Sequence, residues 1–445
     1  MRLTKVLLSL AAAAAATAIV VPRVSGTDAT VPEVGSPFAA GRMSWSPRDL
    51  QQAGLPVGAG MKVYLVTIGQ GDFVFEKFGH NAIWLYDEAG GINAAYNYGT
   101  FDFEQPGYYR RLMKGDMKYW VEAYNGVSMI NYYIRVNRSV WVQELNLTEA
   151  QKAEIRSFLE NNAREENKYY TYDYFRDNCS TRVRDAIDRA TGGALRAQLE
   201  GQPTGTTYRW HTSRLTADEW PAYTGLLLAL GPFIDRPIDA WEEGFLPVQL
   251  MKRVSSLRIT NADGASVPFV LLERQLFGST RPTEWDRPPR RTPIYTAAGL
   301  LIGGFLLLLG RASKRRRIAA ILFFGLAVIW SLAAGIFGAI VAALWAATNH
   351  VATYRNENVM QVNVLSLVLL VQLVLLMRGR AGRAARLTAT TIVVLSAIGL
   401  LMTILPWFPQ ANGPIVGLIL PIHAGLALGL IQRGQPPGAD VRARR

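Results

Sequence analysis

The pattern of hydrophobic and polar positions changes about two thirds of the way along the chain. Up to about residue 290, short apolar segments alternate with polar and turn residues, as in a folded polar domain. Beyond that point the apolar residues form long runs, and roughly 20 apolar residues suffice for a helix to cross a membrane. The sequence therefore predicts a polar domain followed by a transmembrane bundle of about five helices, over Tyr295–Gly310, Ile318–Thr348, Val364–Met377, Leu387–Trp407 and Ile415–Ile431.

Basic residues indicate which ends of these helices face the cytoplasm. The loops Asn349–Asn363 and Phe408–Pro414 contain one basic residue, Arg355, whereas the alternate loops and the tail are strongly basic. By the positive-inside rule the basic segments are cytoplasmic, which places the polar domain outside the cytoplasm. The long run Ile318–Thr348 must then cross once, by tilting, by protruding or with a break near Gly335 and Gly338. The basic residues are Arg311, Lys314, Arg315, Arg316, Arg317, Arg378, Arg380, Arg383, Arg386, Arg433, Arg442, Arg444 and Arg445.

The N-terminus has the pattern of a secretory signal. Arg2 and Lys5 precede an apolar stretch from about Val6 to Val21, and Pro22-Arg23-Val24-Ser25-Gly26 follows it. We expect a signal peptide cleaved after Gly26, or the same segment kept as an anchor. The predicted domains are residues 1–26 as the signal, 27–293 as the extracytoplasmic domain, 294–432 as the transmembrane domain and 433–445 as a basic cytoplasmic tail.

The net charge of +13 follows from this membrane topology. Residues 23–292 contain 31 basic and 32 acidic side chains, so the polar domain is nearly neutral. A basic surface is the usual mark of a nucleic-acid-binding domain. We therefore expect no nucleic-acid partner.

Within the polar domain, segments with period-two alternation predict strands and capped apolar stripes predict helices. A capping box at Thr148 begins a helix that ends near Asn162, and a second helix runs from Asn178 or Cys179 to Gly192. The domain should be α+β with a mostly antiparallel sheet. The predicted strands are Met61–Thr67, Asn81–Asp87, Ile92–Gly99, Lys118–Tyr124, Tyr132–Val136 and Val140–Leu145.

The single cysteine, Cys179, is the leading candidate for chemistry. It lies at the start of the second helix, where unpaired N–H groups and the helix dipole lower a thiol pKa, and His80 could be its base. The alternative is an inert core cysteine, because Cys179 is in register with the apolar face that contains Val183. One cysteine cannot form a disulfide within the chain.

A third polar group usually orients the imidazole of such a pair. Asn97 is the first choice, because a hairpin places it beside residues 82–84, and Asp102 is the alternative. Asn178 and Ser180 flank the cysteine and are further candidates for orienting or oxyanion groups. The four histidines lack metal-site spacing, and the chain contains no phosphate-binding or dinucleotide motif, so we expect neither metal nor cofactor.

Several blocks, in order, resemble the Lnb-type lipoprotein N-acylation transferases. The strongest are Lys77-Phe-Gly-His-Asn-Ala, Tyr96-Asn-Tyr-Gly-Thr-Phe-Asp-Phe, Leu145-Asn-Leu-Thr and Tyr172-Asp-Tyr-Phe-Arg-Asp-Asn-Cys-Ser-Thr-Arg. The resemblance spans about Tyr64 to Leu250, and residues 345–358 of the membrane part look similar as well. It implies a permuted papain-like domain, similar to cell-wall cysteine peptidases and lecithin:retinol acyltransferase, with Cys179 as nucleophile and His80 as base.

The resemblance also implies a reaction and its partners. An acyl chain would move from the diacylglyceryl group of a lipoprotein's first cysteine to that residue's α-amine, so the partners would be membrane lipids and diacylglyceryl-modified lipoproteins. The location would be the bacterial cytoplasmic (inner) membrane. Aromatic residues between Tyr96 and Trp141 could face the membrane or form sheet core. In the outer loop, His350, Asn356 and Asn358 could contact substrate or cap helix ends.

Two other functions are open from the residues alone. A membrane-tethered cysteine peptidase or amidase acting on peptidoglycan would use the same Cys179–His80 pair in an open, hydrophilic cleft. A non-catalytic lipoprotein-binding envelope module would keep Cys179 as a core residue.

Overall fold

The computed structural model describes Leu55, residues 60–261 and residues 263–434. The predicted signal segment and nearly all of the basic tail lie outside these residues. The chain divides into two compact units. One contains the described residues up to Thr216 together with Pro237–Asp286, and the other contains Ala217–Arg236 and the described residues from Arg287 onward. Residues 217–236, expected in the polar domain, thus group with the membrane helices.

The first unit is a mixed α/β domain. Its strands are β1 (Lys62–Ile68), β2 (His80–Asp87), β3 (Ile92–Thr100), β4 (Lys118–Tyr124), β5 (Val140–Leu145), β6 (Tyr169–Thr171), β7 (Pro203–Thr207), β8 (Pro237–Asp239), β9 (Arg258–Thr260), β10 (Ser266–Pro268) and β11 (Val270–Phe277). The helices of this part of the chain are α1 (Tyr108–Lys114), α2 (Gly126–Arg135), α3 (Glu149–Asn162), α4 (Cys179–Ala190), α5 (Ala194–Leu199), α6 (Tyr208–Leu215), α7 (Trp220–Ala229, in the second unit), α8 (Ala240–Glu243) and α9 (Pro247–Ser256).

One antiparallel sheet organises this domain. Its order, over the described residues, is β11-β5-β1-β2-β3-β4-β6, and two small ribbons pair β9 with β10 and β7 with β8. The prediction of an α+β domain with an antiparallel sheet is confirmed. His80 opens the central strand β2, and Cys179 opens α4, so the histidine precedes the cysteine as the permuted order requires.

Side-chain alternation gives the sheet two buried faces. On one face Ile83 and Leu85 of β2 pack with Val183 and Ile187 of α4. On the other, Trp84 packs with residues of α2, among them Ile130. The sheet is therefore buried on both faces, and its central strands carry apolar residues at nearly every position.

The predicted strand Tyr132–Val136 is wrong, because these residues belong to the end of α2 and the turn after it. Asn125 caps this helix by accepting the N–H of Ser128 at 3.0 Å. Met129, Ile130 and Ile134 repeat with helical spacing and are buried against the sheet. The aromatic and β-branched residues of this segment suggested a strand, but the preceding cap and the helical spacing of the buried residues decide for a helix.

The two predicted helices of the domain are confirmed. Thr148 and Gln151 form the predicted capping box of α3, with the Thr148 N–H donating to Gln151 Oε1 at 2.9 Å. Helix α4 ends at Ala190, before the left-handed Gly192 and Gly193. Glycine tolerates this backbone conformation because it has no Cβ.

The second unit contains α7 and a helical bundle. Its long helices are α10 (Thr292–Ala312), α11 (Arg317–Ala347), α12 (Leu365–Met377), α13 (Gly382–Met402) and α14 (Gly413–Gly434). Five segments of the described chain are long and apolar enough to cross a membrane, and the one that includes α12 runs from Glu357 to Met377. The prediction of about five transmembrane helices is confirmed.

Some predicted ends of these helices shift. Helix α13 begins five residues before the predicted Leu387, because Arg383 and Arg386 join its first turns, and it ends at Met402 rather than Trp407. Long basic side chains can extend from a helix end toward water, so a helix continues beyond its apolar run. Helix α11 is continuous through Gly335 and Gly338, where no break occurs.

Glycines allow the closest contact in the bundle, between α10 and α14. A Cβ added to Gly425 would overlap the carbonyl oxygen of Gly303, and one added to Gly303 would overlap the carbonyl oxygen of Pro421. Small residues let membrane helices approach backbone to backbone, which replaces the missing hydrophobic driving force with packing.

Candidate functional site: a thiol and an imidazole at one end of the sheet

The N-terminus of α4 is fixed by Asn178. Its Oδ1 accepts the backbone N–H groups of Ser180 and Thr181, both at 2.9 Å, and Thr181 Oγ1 accepts the Asn178 N–H at 2.8 Å. The amide nitrogen of Asn178 donates to the carbonyls of Tyr174 and Phe245. Asn178 thus uses both ends of its side chain to hold the turn that carries Cys179.

Ser180 and Asn81 tie this helix to the sheet. Asn81 Nδ2 donates to Ser180 Oγ at 3.1 Å, and Ser180 Oγ donates to the Gly244 carbonyl at 2.7 Å. Asn81 Oδ1 in turn accepts the Thr67 hydroxyl at 2.9 Å. All of these side chains are buried. The contacts of Asn178 and Ser180 therefore favour positioning of the cysteine over direct contact with a substrate.

Cys179 lies where β2 and β3 separate. Their pairing begins with Ala82 opposite Asn97, and the backbone N–H of Asn81, just beyond that pair, is directed toward the cysteine sulfur. Gly99 on β3 has a φ of +88°, and a Cβ there would lie 3.4 Å from the Cβ of Cys179. Cys179 is 9% exposed. The thiol is thus packed against backbone atoms, and little of the side chain is accessible to solvent.

His80 is held by Asn97, as the hairpin predicted. The distance between His80 Nε2 and Asn97 Oδ1 is 2.9 Å, and Asn97 Nδ2 donates to the Ala95 carbonyl at 2.9 Å. This second bond sets the orientation of the amide, so its oxygen faces the ring. An amide oxygen only accepts, so in the neutral ring Nε2 carries the proton and Nδ1 keeps its lone pair.

The thiol and the imidazole share neighbours. Asn81 follows His80 in the chain and directs its N–H to the sulfur, and the charge of Cys179 acts on Tyr133, whose ring centroid is 6.1 Å from that of His80. Among the described residues, no hydrogen bond joins His80 to Cys179 directly. Catalytic hydrogen bonds commonly tighten only when substrate binds.

Burial determines the resting charge of the imidazole. Desolvation lowers the pKa of His80 to about 4, the hydrogen bond with Asn97 opposes this shift, and the positive charge of Arg138 adds to it. His80 is therefore neutral at pH 7. A neutral imidazole can accept a proton, which is what a general base needs.

The expectation of a lowered thiol pKa is wrong for this structure. Burial raises the pKa of Cys179, and the backbone N–H groups of Asn81, Ser180 and Cys179 with the Arg138 charge only partly oppose the rise. A helix N-terminus stabilises a thiolate, but here the loss of water outweighs it. The site at rest therefore holds a thiol beside a neutral imidazole, rather than an ion pair.

Two family models match the chain. The Lnb N-terminal periplasmic domain matches residues 60–214, and the Lnb transmembrane domain matches residues 288–433. This chain belongs to the Lnb family. No curated protein and no solved structure matches it. It is a multi-pass membrane protein of the lipoprotein-biogenesis Lnb type, with a periplasmic α+β domain and a helical transmembrane domain.

Asp102, the alternative orienting group, lies away from the imidazole of this Lnb domain. Its side chain is exposed, and Oδ1 accepts the backbone N–H of Glu104 at 2.8 Å. Asp102 and Asn97 follow each other closely in sequence, so sequence spacing did not separate them. The register Ala82–Asn97 does, because it places Asn97 beside the start of β2.

The polar residues of the outer loop occupy the helical unit of the Lnb chain. Asn356 Nδ2 donates to the carbonyls of Leu228 and Ala229, and Asn358 Nδ2 donates to those of Leu227 and Leu228. These carbonyls end α7, so both asparagines cap that helix. His350 is half-buried, and its carbonyl accepts the N–H of Thr353. The capping alternative is favoured for Asn356 and Asn358, and a substrate contact stays a prediction.

The aromatic residues of the domain differ in their burial, and a membrane-facing role for the exposed ones stays a prediction. Tyr108 and Tyr119 are buried, whereas Tyr109 is 65% exposed. A continuous row, here called the aromatic row, leads from the thiol to the surface: Tyr172, Tyr119, Phe101 and Phe75, with successive ring centroids 4.5, 4.9 and 5.8 Å apart. Tyr172 lies beside Gly99 and Cys179, and Phe75 is 52% exposed.

Arg138 belongs to the site, although no sequence pattern singles it out. It lies just before β5, is 4% exposed, and forms a salt bridge of 3.2 Å with Glu76. Its charge acts on both His80 and Cys179. In the sequence, Arg138 looks like any exposed arginine in a turn. Only its burial in the folded chain distinguishes it.

Proposed function

We propose that this Lnb-family protein is a cysteine-dependent acyltransferase of the bacterial inner membrane. Its substrate is a diacylglyceryl lipid, specifically the S-diacylglyceryl cysteine at the start of a lipoprotein. The acyl chain moves through a Cys179 thioester to the α-amine of the same residue. The observation that carries the proposal is the tautomer that Asn97 imposes on His80, since it leaves Nδ1 unprotonated at the end of the sheet where Cys179 lies.

The first half-reaction forms the thioester. His80 Nδ1 takes the proton of the Cys179 thiol as the sulfur attacks the ester carbonyl, and the carbonyl electron pair moves to its oxygen. The pair then returns, the bond to the glycerol oxygen breaks, and His80 gives its proton to that oxygen. The neutral resting pair supports this order, because the thiol loses its proton only as the sulfur–carbon bond forms.

The second half-reaction forms the amide. The uncharged α-amine attacks the thioester carbonyl, His80 accepts one amine proton, and collapse releases the Cys179 sulfur, which recovers that proton. Water would compete with the amine, so the thioester must be kept dry. The low exposure of Cys179 supports this requirement.

The aromatic row is a suitable contact for the acyl chain. It starts beside Cys179 and ends at the exposed Phe75, so a chain on the sulfur could lie along apolar rings as far as the domain surface. Burying each CH₂ group contributes about 0.8 kcal/mol. We expect Phe75→Ser to slow transfer of long acyl chains more than short ones, and an equal effect on both would count against this contact.

The test is mass spectrometry of a lipoprotein's N-terminal lipopeptide in cells that lack their own N-acyltransferase. Expression of the intact protein should produce an N-acylated peptide with one chain remaining on glycerol. Cys179→Ala and His80→Gln should abolish it, while Asp102→Asn, at an exposed side chain that bonds only locally, serves as the control. An N-acylated peptide that keeps both glycerol chains would mean a phospholipid donor. No product with the intact protein would refute acyl transfer and favour a peptidoglycan substrate or a binding role.

A further inference from the structure

Arg138 stands at the same end of the sheet as the thiol and the imidazole. Its Nε donates to the Gly69 carbonyl at 2.9 Å, and Gly69 directly follows Ile68, the strand partner of His80. Val140, two residues after Arg138, pairs with Ile68 from the other side. The guanidinium carbon lies 5.1 Å from the ring centroid of Tyr133, which also neighbours His80. Three adjacent strands therefore bring Arg138 to the candidate site.

One donor of this buried guanidinium is unused. Nε is bound to Gly69 and Nη1 to Glu76 Oε1 at 3.2 Å, whereas Nη2 is buried and has no hydrogen-bond partner among the described residues. A buried charged group with an unpaired N–H costs free energy, so an unpaired donor calls for an explanation. A guanidinium N–H can only donate, so the group that would pair with it is a hydrogen-bond acceptor, such as an oxyanion.

The positive charge of Arg138 reaches both reacting groups. It stabilises the thiolate form of Cys179 and disfavours the protonated form of His80. The first effect suits a reaction in which negative charge appears at the sulfur and then at the carbonyl oxygen, whereas the second only keeps His80 neutral at rest. The candidate oxyanion groups from sequence, Asn178 and Ser180, have their side chains engaged elsewhere.

We propose that Arg138 is a catalytic residue that donates its Nη2 hydrogen to the oxyanion formed when Cys179 attacks the acyl carbonyl. This rests on the proposed function. As the sulfur–carbon bond forms, the carbonyl pair moves to oxygen and the guanidinium holds that charge. When the pair returns and the glycerol oxygen leaves, the hydrogen bond weakens again, and Arg138 neither gains nor loses a proton. Donors aligned with developing charge in a dry site give large rate effects.

The test uses the purified full-length protein with Arg138→Met, Arg138→Lys and the control Glu76→Gln. The control substitution keeps an acceptor for Nη1 and leaves the guanidinium in place. Transfer from a synthetic diacylglyceryl lipopeptide gives kcat and KM, and the pH dependence of Cys179 alkylation by iodoacetamide gives the thiol pKa. The second measurement requires no acyl-transfer activity. The groups facing the thiol that could affect it are Arg138, His80, Tyr133, Tyr170 and Tyr172.

Arg138→Met should lower kcat about 100-fold with little change in KM, the effect of losing one oxyanion donor. It should raise the alkylation midpoint, whereas Glu76→Gln should leave kcat within about threefold and lower the midpoint, because the arginine charge is then less compensated. Compared with Arg138→Met, Arg138→Lys should bring the alkylation midpoint part of the way back, because the positive charge is kept. It should restore little of kcat, since an ammonium does not reproduce the planar, forked donor geometry of a guanidinium.

Three outcomes would overturn the proposal. A raised KM with unchanged kcat would make Arg138 a contact for an anionic substrate group, such as a phosphate. Equal losses in Arg138→Met and Glu76→Gln would make the arginine only a structural partner of Glu76. An unchanged alkylation midpoint in Arg138→Met would show that Arg138 does not affect the pKa of the Cys179 thiol. Failure of the proposed function is a separate result: the intact protein would then form no N-acylated product, or product would persist in Cys179→Ala, while the alkylation midpoints would still report the effect of Arg138 on the sulfur.

Discussion

Asn97 offers the sharpest test of the site, through two substitutions with opposite effects on His80. Asn97→Leu removes the acceptor 2.9 Å from Nε2, so the ring loses its preferred tautomer and its orientation. Leaving such a donor unpaired costs about 1–3 kcal/mol. Because about 1.36 kcal/mol corresponds to a tenfold change in rate, kcat should fall about 10- to 100-fold at pH 7.

The pH profile separates this effect from a general loss of structure. The hydrogen bond with Asn97 raises the pKa of His80, which burial has lowered to about 4, so Asn97→Leu should move the acid limb of kcat further down. Asn97→Asp should move it up by about 1–3 units, because a carboxylate stabilises the protonated ring. The introduced carboxylate still accepts the Nε2 hydrogen, so activity above pH 8 should survive better than in Asn97→Leu.

The assay is the rate of lipopeptide acyl transfer by purified protein between pH 4 and 9, with Asp102→Asn as the control. Asp102 is exposed and bonds only locally in the described structure, so its profile should match that of the unaltered protein. Full activity in Asn97→Leu, or acid limbs that move the same way in both Asn97 variants, would refute the assigned tautomer.

Three further predictions concern the thiol, stability and the membrane bundle. Iodoacetamide should modify Cys179 half-maximally above the ordinary thiol range, because burial raises its pKa; a midpoint below pH 8 would contradict this. The folded-state pKa of His80 lies below its ordinary value of 6.5, so stability present above that pH should be lost as pH falls toward 4, and His80→Gln should flatten this loss in thermal unfolding. Gly303→Ala should destabilise the bundle by about 1–3 kcal/mol through overpacking against Pro421, whereas Gly304→Ala, with no atom within 4 Å of its Cβ, should not lower the melting temperature in detergent.

Local signals in the chain were sufficient for much of this architecture. The capping box at Thr148, the apolar face beginning at Val183 and the long apolar runs each depend on neighbouring residues, and each predicted its helix. The prediction failed for the end of α2, where the aromatic and β-branched residues of Tyr132–Val136 favoured a strand although Asn125 caps a helix. The predicted ends of α13 were also wrong. A hydropathy pattern stops at basic residues, whereas a helix can include them.

The sequence by itself determined the fold class and the five apolar helices, and it singled out Cys179 and His80 as the candidate pair. Tertiary structure decided how those groups behave. Asn97 rather than Asp102 reaches His80 because of strand register, and Asn178 and Ser180 hold the helix because their partners come from distant turns. Burial raises the pKa of the Cys179 thiol instead of lowering it. The fold also buries Arg138 at the same end of the sheet. Helix caps and apolar runs are local properties of a chain, whereas desolvation and the meeting of distant side chains exist only once it is folded.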